Sequence, residues 1–360
     1  MRHPDRSTPH STHPSTRRRV RALRLPAVLL ALGLLPLVSA CGGDSSAAEG
    51  SSGSGKGKVT LRIGDQGQSL LTTLKVAGQL EDLPYEVKFN QFDSGPLVNQ
   101  GLQAGAIDFG VMGDTPAVLA RASGIPVKVI AVSRTVGPGY TLVARPGSGI
   151  HSPADLKGKK IAYSRNTANH GFLLRVLDKE GLRQRDVTPV DVPLQNIGNV
   201  LESGTVDAAT ATEETRAKYL AEHPDAVQVI NGRTVTPGYA FRLATDKALA
   251  DPAKRAALLD FSHRLVLANE WIAAHPDAWV DAYYVKVRKQ TPKLGRQVFE
   301  ATGRTFYVPV DDSVIREQQK QADLFTANGQ LPGKVDLSGQ FDPAVSKEFN
   351  ARTVQKGSSS

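Results

Sequence analysis

Sulfur-containing side chains are scarce in this chain, which has one cysteine and two methionines among its 360 residues. The cysteine is Cys41, and the methionines are Met1 and Met112. A single cysteine excludes an intramolecular disulfide and a metal site built from several thiolates. Because Cys41 directly follows the N-terminal leader described below and is expected to be lipidated, the folded part has no cysteine nucleophile.

Motifs that would indicate catalysis are missing as well. The sequence after the leader has no Gly-x-Ser-x-Gly nucleophile elbow, its histidines lack metal-ligand spacing, and its glycine-rich stretches do not form a phosphate-binding loop. We therefore predict that the chain is not an enzyme and that it needs no cofactor and no metal.

Positive charge is concentrated at the N-terminus. Seven arginines against one aspartate lie in residues 1–24, and the apolar run Leu25–Ala40 follows them. This order is typical of an export signal, and the run is too short to serve as a membrane span. The rest of the chain has 37 basic and 34 acidic side chains. The basic composition therefore gives no support for nucleic-acid binding.

The leader ends in Val38-Ser39-Ala40-Cys41, which resembles a bacterial lipobox. In signals of that kind the cysteine is lipidated and becomes the first residue of the mature protein. We predict a lipoprotein signal over 1–40, and a lipidated Cys41 with a flexible Gly- and Ser-rich tether over 41–58. The protein would then be extracytoplasmic and anchored to the cell membrane.

Short apolar runs alternate with amphipathic stretches from Val59 onward, which predicts an α/β protein built from two series of βα units. Predicted strands are Val59–Gly64, Tyr85–Phe92, Ile107–Met112, Val127–Ser133, Tyr140–Arg145, Lys160–Tyr163, Val187–Val192, Ala208–Thr212, Ala226–Ile230 and Thr236–Thr245. Predicted helices between them are Ser69–Leu80, Gly95–Ala104, Pro116–Ala122, Ala168–Glu180, Gln195–Ser203 and Glu214–His223.

The C-terminal third is predicted to be almost entirely helical. Its predicted helices are Pro252–Ala274, Asp277–Lys286, Lys293–Thr302 and Asp312–Asn328, with a disordered tail over 350–360. The order of elements predicts two lobes. Lobe 1 comprises 59–143 and 238–349, and lobe 2 (144–237) is inserted into it, so that the chain crosses between the lobes twice at a hinge.

Four stretches carry a resemblance to a known family: "VTLRIGDQ", "GPLVNQGLQAGAIDFGVMGDTPAVLARASGIPVKVIAV", "SPADLKGKKIAYSRNTANHGFLLRVLDKEGL" and "LESGTVDAAT". In order and spacing they resemble the substrate-binding proteins of ABC importers, in the nitrate/sulfonate/taurine group, most closely the aliphatic-sulfonate binders. The resemblance implies a monomeric, two-lobed, periplasmic-binding-protein-like fold. It also implies a small anionic solute that is delivered to an ABC permease with its ATPase subunit.

Ligands of open α/β sheets bind beyond the carboxyl ends of the strands, where helix N-termini offer backbone N–H groups to an anion. Three such turns are expected at the cleft. Their candidate ligand residues are Gln66, Gln68 and Ser69, then Gly113, Asp114 and Thr115, then Asn166, Thr167, Asn169 and His170. Thr167 and His170 align with the pattern of the resembled family. The two threonines would serve equally as helix caps, and His170 equally as a packing residue.

A cation is expected to face the anionic head group, and arginine suits it because its planar fork can engage two oxygens. Arg134 is the first choice, with Arg242 and Arg165 as the others. Tyr140 and Tyr239 follow glycines at the two crossings, where they would cover an alkyl or aryl tail or else pack in the hinge.

The end of the predicted strand Ala208–Thr212 departs from the resembled family, which often has an aromatic residue and a proline there. Here the sequence is Thr212-Glu213-Glu214. We hypothesise that Glu213 contacts a positive or hydrogen-bonding part of the solute, whereas Glu214 suits the first turn of a helix.

The low sulfur content fits a protein made when sulfur is scarce, although drift in an alanine-rich sequence gives the same composition. Together with the resemblance it favours an organosulfonate over nitrate. Nitrate, taurine, another small organic solute and a role as a ligand sensor stay open, and an enzyme is the least favoured alternative.

Overall fold

The structure is a computed structural model and describes residues 58–354. The predicted signal over 1–40, Cys41 and the tether up to residue 57 lie outside the described residues, as does the tail from 355 onward. Within the described range, no helix combines the length and the apolar character that a membrane crossing requires.

The described residues form strands and helices that alternate over the first two thirds. The strands are β1 Thr60–Gln66, β2 Glu86–Phe92, β3 Phe109–Gly113, β4 Val127–Thr135, β5 Tyr140–Ala144, β6 Lys160–Tyr163, β7 Thr188–Asp191, β8 Ala208–Thr212, β9 Val227–Asn231, β10 Tyr239–Thr245 and β11 Thr305–Val308. The α-helices are α1 Ser69–Val76, α2 Gly95–Gln103, α3 Asp114–Ala122, α4 Ala168–Lys179, α5 Ile197–Glu202, α6 Glu213–Glu222, α7 Asp246–Ala250, α8 Pro252–Ala274, α9 Pro276–Trp279, α10 Pro292–Thr302, α11 Asp312–Ala327 and α12 Pro343–Thr353.

Sheet 1 has six strands in the order β11-β4-β10-β3-β1-β2. Strands β1, β2 and β3 run parallel, whereas β10 is antiparallel to both of its neighbours. Apolar side chains cover both faces of the sheet, with Leu61, Ile63 and Phe109 on one side and Val129 and Phe241 on the other. This double burial explains why β3 and β4 are largely apolar, whereas the edge strand β2 alternates polar and apolar side chains.

Sheet 2 has five strands in the order β7-β6-β8-β5-β9, and all of them come from residues 140–231. Strands β6, β7 and β8 are parallel, and β5 is antiparallel to β8 and β9. Helix α4 packs on one face through Phe172 and Leu173, and α5 packs on the other through Ile197 and Leu201.

The chain passes between the two sheets twice, over 136–139 after β4 and over 232–238 before β10. Backbone comes very close together there. A Cβ atom on Gly232 would meet the carbonyl oxygen of Pro138, and one on Gly238 would lie 2.6 Å from the carbonyl oxygen of Thr135. Gly238 also has a φ of +73°, which favours glycine. The glycines of the two crossings are therefore required by the packing.

The C-terminal region differs from the prediction in three places. Residues Thr305–Val308 form an edge strand of sheet 1, not part of a helical region. The predicted helix Asp277–Lys286 is a short α-helix followed by the π-helix Val280–Val287. The predicted disordered tail begins too early, because Asn350–Thr353 complete α12 and Thr353 is buried.

Candidate ligand-binding site between the two sheets

Helix N-termini from both sheets meet at the carboxyl ends of the strands. Helices α1 and α3 begin directly after β1 and β3 in sheet 1, and α4 and α6 begin after β6 and β8 in sheet 2. The α3 and α4 termini touch, since a Cβ atom on Gly113 would lie 2.5 Å from the Cβ atom of Ala168. Only a glycine therefore lets the two helices approach so closely.

Three of the four helices that begin at this edge, α1, α3 and α4, lack a side-chain cap from their N-cap residue within the described range, whereas Thr212 caps α6. Helices α7, α8, α10, α11 and α12 each begin with a Thr or Asp side chain that accepts a hydrogen bond from the first turn. Among the described residues, no side chain of the N-cap residue does so for α1, α3 or α4. Since uncapped N–H groups need other partners, these termini are suited to a ligand.

Helix α4 has the clearest free donors. The N–H groups of Ala168 and Asn169 donate to no acceptor within the described part of the chain. Thr167 is the N-cap residue, but its hydroxyl donates to the carbonyl oxygen of Ser164 at 2.8 Å instead of capping the helix. The α4 terminus therefore offers two backbone donors together with the positive end of a helix dipole.

The Asn169 side chain fixes the turn before α4. Its Oδ1 atom accepts from the Ser164 N–H at 2.9 Å and from the Thr210 hydroxyl at 2.6 Å, and its Nδ2 atom donates to the Thr210 carbonyl at 2.6 Å. Asn169 is fully buried. Its side chain thus holds the α4 terminus against β8 and does not itself face a ligand.

The start of α3 lies between α11 of its own lobe and α4 of the other lobe. Thr115 is fully buried, and its hydroxyl accepts from Gln321 Nε2 at 3.1 Å. The Asp114 carboxylate accepts from the Thr115 N–H at 2.6 Å, so the acid caps its own helix from the first position. Burial raises the pKa of Asp114, and the nearby Arg175 guanidinium opposes that rise.

The α1 terminus is partly occupied by protein groups. Asp65 is buried, and its carboxylate accepts from the N–H groups of Leu70 and Leu71 at 2.8 and 3.1 Å. Gln66 donates from its side chain to the Val111 carbonyl at 2.7 Å, and Gln68 adopts a left-handed conformation with φ of 59°. Ser69 begins the helix beside the Tyr283 hydroxyl. This terminus has fewer donors to offer than that of α4.

The three candidate arginines lie in different surroundings. Arg242 is buried against the ring of Tyr307, with its guanidinium carbon 4.7 Å from the ring centroid, and it is a core residue. Arg165 forms an exposed ion pair with Asp191 at 3.0 Å. Arg134 lines an exposed surface cavity beside Tyr239 and Glu317. The structure therefore does not bring these three side chains together, and Arg242 is removed as a candidate.

His170 and Asn166 both lie at the start of α4. His170 is fully buried between Tyr163 and Phe325 and bonds Gln184, and burial lowers the pKa of His170 to about 4. It is a packing residue. Asn166 begins the same turn with a left-handed φ of 63°, and its N–H donates to the imidazole of His170.

Each tyrosine of the crossings packs beside its own sheet. Tyr140 begins β5 of sheet 2, so the second lobe starts before the predicted boundary at residue 144. Tyr140 stacks on Phe172 with ring centroids 6.0 Å apart, and Tyr239 meets the ring of Phe241 edge-on. Burial raises the pKa of both phenols, and the Asp114 carboxylate adds to the rise at Tyr140. Tyr140 therefore lies near the α3 terminus.

Glu213 has a partner within its own helix. Its carboxylate accepts from Arg216 Nε and Nη2 at 3.0 and 2.8 Å, and the residue is buried. The charge that would repel an anion at this edge is therefore largely balanced.

The chain is similar to known proteins over most of its length. A family model described as NMT1/THI5 like matches residues 85–278, more than half of the chain. The chain belongs to the NMT1/THI5-like family. Its relatives include a protein of Bacillus subtilis (strain 168) provisionally named an aliphatic sulfonates-binding protein, 27% identical over 89% of this chain and 96% of the relative. A protein of Escherichia coli (strain K12) with the same name is 26% identical over 77% of this chain and 86% of the relative.

A solved structure shares the fold of this chain. The alkanesulfonate-binding protein SsuA from Xanthomonas axonopodis pv. citri, bound to MOPS, has a TM-score of 0.70 and 26% sequence identity. The match covers 79% of this chain and 98% of that one. The fold is that of the two-lobed periplasmic binding proteins, as the sequence predicts.

Two arginines of this NMT1/THI5-like chain join the lobes and were not among the sequence candidates. Arg175 of α4 donates to Gln321 at 2.6 Å and to Glu317 at 3.0 Å, both on α11. Arg288, after the π-helix, pairs with Glu214 of α6 at 3.0 Å. Their partners are more than 70 residues away in sequence, so no local pattern indicates them.

Proposed function

We propose that the protein is the extracytoplasmic solute-binding component of an ABC importer. It captures a small organosulfonate in the cleft between the two lobes and delivers it to the permease and its ATPase subunit for sulfur acquisition. The observation that carries the proposal is the pair of touching α3 and α4 N-termini, with the Ala168 and Asn169 N–H groups free to donate.

Neutral backbone donors suit a sulfonate that must be released again. A sulfonate carries one negative charge spread over its oxygens, and convergent N–H groups at a helix terminus can bind it without a full countercharge. Arg165, Arg175 and Arg288 are already paired with carboxylates. The head group therefore meets peptide dipoles first, and the paired arginines supply a weaker, longer-range attraction.

The relatives support an organosulfonate as the ligand class. Two are named for aliphatic sulfonates, and a taurine-binding periplasmic protein of Escherichia coli is 28% identical over 34% of this chain. The scarcity of sulfur in the sequence is an independent argument for the same class.

Attachment to the membrane is part of the proposal. The lipobox-like Val38–Cys41 would place a lipid on Cys41, with the tether over 41–58 leading to a monomeric binding domain. Globomycin, which blocks the lipoprotein signal peptidase, tests this directly. Accumulation of the uncleaved chain supports the anchor, and normal processing in its presence contradicts it.

The ligand is tested by calorimetry on the protein without residues 1–41. The panel consists of methanesulfonate, a longer alkanesulfonate, taurine, an arylsulfonate, sulfate and nitrate. We expect one organosulfonate to bind with a dissociation constant in the micromolar range, which corresponds to about −8 kcal/mol. Binding of nitrate or sulfate alone would contradict the assignment, as would no binding across the whole panel.

Glu213 is tested with the same panel. If this carboxylate contacts a positive or hydrogen-bonding part of the solute, Glu213→Gln should weaken taurine more than a plain alkanesulfonate of equal length. Glu180→Gln, at the exposed C-terminal end of α4, is the matched control and should change neither affinity. Equal effects on the two sulfonates would remove Glu213 from the site.

A further inference from the structure

Two helices of lobe 2 end beside each other, away from the cleft. Helix α5 ends at Glu202, and α6 ends at Glu222 with His223 as its C-cap. Since α6 begins at the cleft with Glu213 and rises about 1.5 Å per residue, its end lies about 15 Å from that edge. The cluster Glu202, Glu222 and His223 is therefore separate from the proposed ligand site.

The three side chains already have the geometry of a chelating set. One ligand atom from each lies within 4.8 Å of the others. His223 Nε2 lies 2.9 and 2.8 Å from the two carboxylate oxygens of Glu202. The side chains are accessible to an ion, with His223 30% and Glu202 48% exposed. An ion could thus enter without any change in the fold.

The imidazole is held in place by its own helix. Its ring packs against Tyr219 with centroids 4.3 Å apart, and Tyr219 is itself buried. The His223 N–H donates to the Tyr219 carbonyl at 2.8 Å, which closes the helix. A fixed imidazole loses little conformational freedom on binding a metal, so the site is partly preorganised.

The charge of the cluster favours a cation. Within residues 58–354, no lysine or arginine forms an ion pair with Glu202 or Glu222. The C-terminal end of the α6 dipole adds partial negative charge at the same point. Among the described residues the His223 ring is thus the one basic side chain paired with these two carboxylates, and a cation would add the missing positive charge.

We propose that Glu202, Glu222 and His223 form a binding site for a divalent transition metal, with zinc as the best match. One imidazole nitrogen and two carboxylate oxygens are ligands that zinc accepts, and water would complete a four-coordinate site. Calcium fits less well because it prefers oxygen ligands alone. Bound zinc would join the ends of α5 and α6 and stabilise lobe 2. This proposal departs from the sequence prediction of no metal, because Glu202 lies 20 residues before Glu222 and forms no recognisable ligand spacing with it.

Calorimetry with zinc chloride tests the site on the untagged, full-length protein. We expect one zinc ion with a dissociation constant in the micromolar range and no response to calcium. Glu202→Gln and His223→Gln should each weaken zinc binding at least about tenfold. His263→Gln is the matched control, because that ring bonds only a backbone carbonyl among the described residues. His3, His10 and His13 are present in all variants, so any zinc that they bind is the same in each. The test is therefore the difference in zinc affinity between each variant and the wild type.

A second measurement separates the site from nonspecific binding. X-ray absorption at the zinc edge should show nitrogen and oxygen ligands at about 2.0–2.2 Å, and the spectrum should change in His223→Gln. Zinc should also raise the melting temperature of the wild type and of His263→Gln, but not that of Glu202→Gln. Zinc binding that is absent, or unchanged in both site variants, would overturn the proposal.

Discussion

His170 has a polar ring in an apolar position, and its chemistry follows from that placement. The ring lies between Tyr163 and Phe325, with Nε2 3.1 Å from Gln184 Oε1. Burial disfavours the charged imidazolium, which is why the pKa of His170 falls to about 4 from an ordinary value near 6.5. The folded protein therefore keeps this ring neutral over a range in which the unfolded chain binds a proton.

This difference predicts a loss of stability in acid. Between pH 6.5 and about 4 the unfolded state binds more protons than the folded state. The contribution of His170 to the free energy of unfolding should therefore have its full value above pH 6.5 and should fall as the pH drops towards 4. His170 contributes up to about 3 kcal/mol of that fall. Urea unfolding at pH 7 and pH 4.5 measures it. His170→Gln should lose less stability between the two pH values than the wild type, and equal losses would contradict the assignment.

Thr115 gives a second prediction at this scale. Thr115→Val keeps the shape but leaves Gln321 Nε2 without its acceptor on the neighbouring α3. Orphaning a buried donor costs about 1–3 kcal/mol, so the free energy of unfolding should fall by that amount. Removal of the hydroxyl from the proposed site should in addition lower the affinity for the sulfonate by about fivefold, or about 1 kcal/mol. Calorimetry measures it. Thr326→Val, whose hydroxyl bonds carbonyls of the α11 region, should bind normally. An unchanged affinity in Thr115→Val would remove this contact from the binding mechanism.

Single cations were the least predictable residues of the site. Arg134, Arg165 and Arg242 stand near strand ends in the sequence, but their partners are decided by tertiary packing. Arg242 is covered by Tyr307 of the unexpected strand β11. The local sequence does not show which distant residue an arginine will contact. The position of Gly113-Asp114-Thr115 at the sheet edge could be predicted, because a strand ends and a helix begins there.

Elements with strong local signals were predicted well. Strands β6 and β8 and helix α8 have the predicted bounds, since apolar runs or helical periodicity end at clear breakers. Strand β11 was missed because its four residues are too few to show the alternating pattern of a strand. Its pairing partner β4 also lies about 170 residues earlier in the sequence. The π-helix has no sequence period that separates it from an α-helix.

The turn before α4 depends on one amide, which gives a prediction at the scale of the element. Asn169→Ala removes three hydrogen bonds and leaves Ser164 N–H and the Thr210 groups to find other partners. The free energy of unfolding should fall by about 2–3 kcal/mol, and solute affinity should fall with it. Urea unfolding measures the first effect. Asn199→Ala, at an exposed position of α5, should change stability by less than about 0.5 kcal/mol.

At the scale of the molecule, the two lobes meet in a closed arrangement. Arg175 bonds Gln321 and Glu317 on one side of the cleft, and Glu214 bonds Arg288 and Gln290 on the other. At the mouth, Gln195 Nε2 lies 3.4 Å from the Asp93 carbonyl. The lobes must separate at these contacts for a solute to enter or leave.

Gly171 offers a way to disturb closure without touching the donors of α4. A Cβ atom there would collide with Thr115 Oγ1 and Gln321 Nε2 of lobe 1, although alanine is itself a better helix former than glycine. Gly171→Ala should therefore keep or raise the stability of the unliganded protein while lowering solute affinity by about tenfold or more. Calorimetry and small-angle scattering with saturating solute measure these effects.

The control for this variant is Gly198→Ala in α5, where the nearest atom is Thr215 Cγ2 at an ordinary 3.4 Å. Gly198→Ala should bind the solute with wild-type affinity and should reach the wild-type radius of gyration when the solute is saturating. If Gly171→Ala compacts to the same radius of gyration and binds equally well, the contact between α4 and lobe 1 is not needed for closure.

The free N–H groups of Ala168 and Asn169 have a consequence for evolution. They belong to the peptide backbone, so no substitution other than proline deletes them. Under the proposed function, the contact with the oxyanion is inherited by every descendant that keeps the fold. The side chains around it are free to diverge. A descendant protein can therefore bind a solute with a different carbon skeleton while its backbone hydrogen bonds to the sulfonate stay the same.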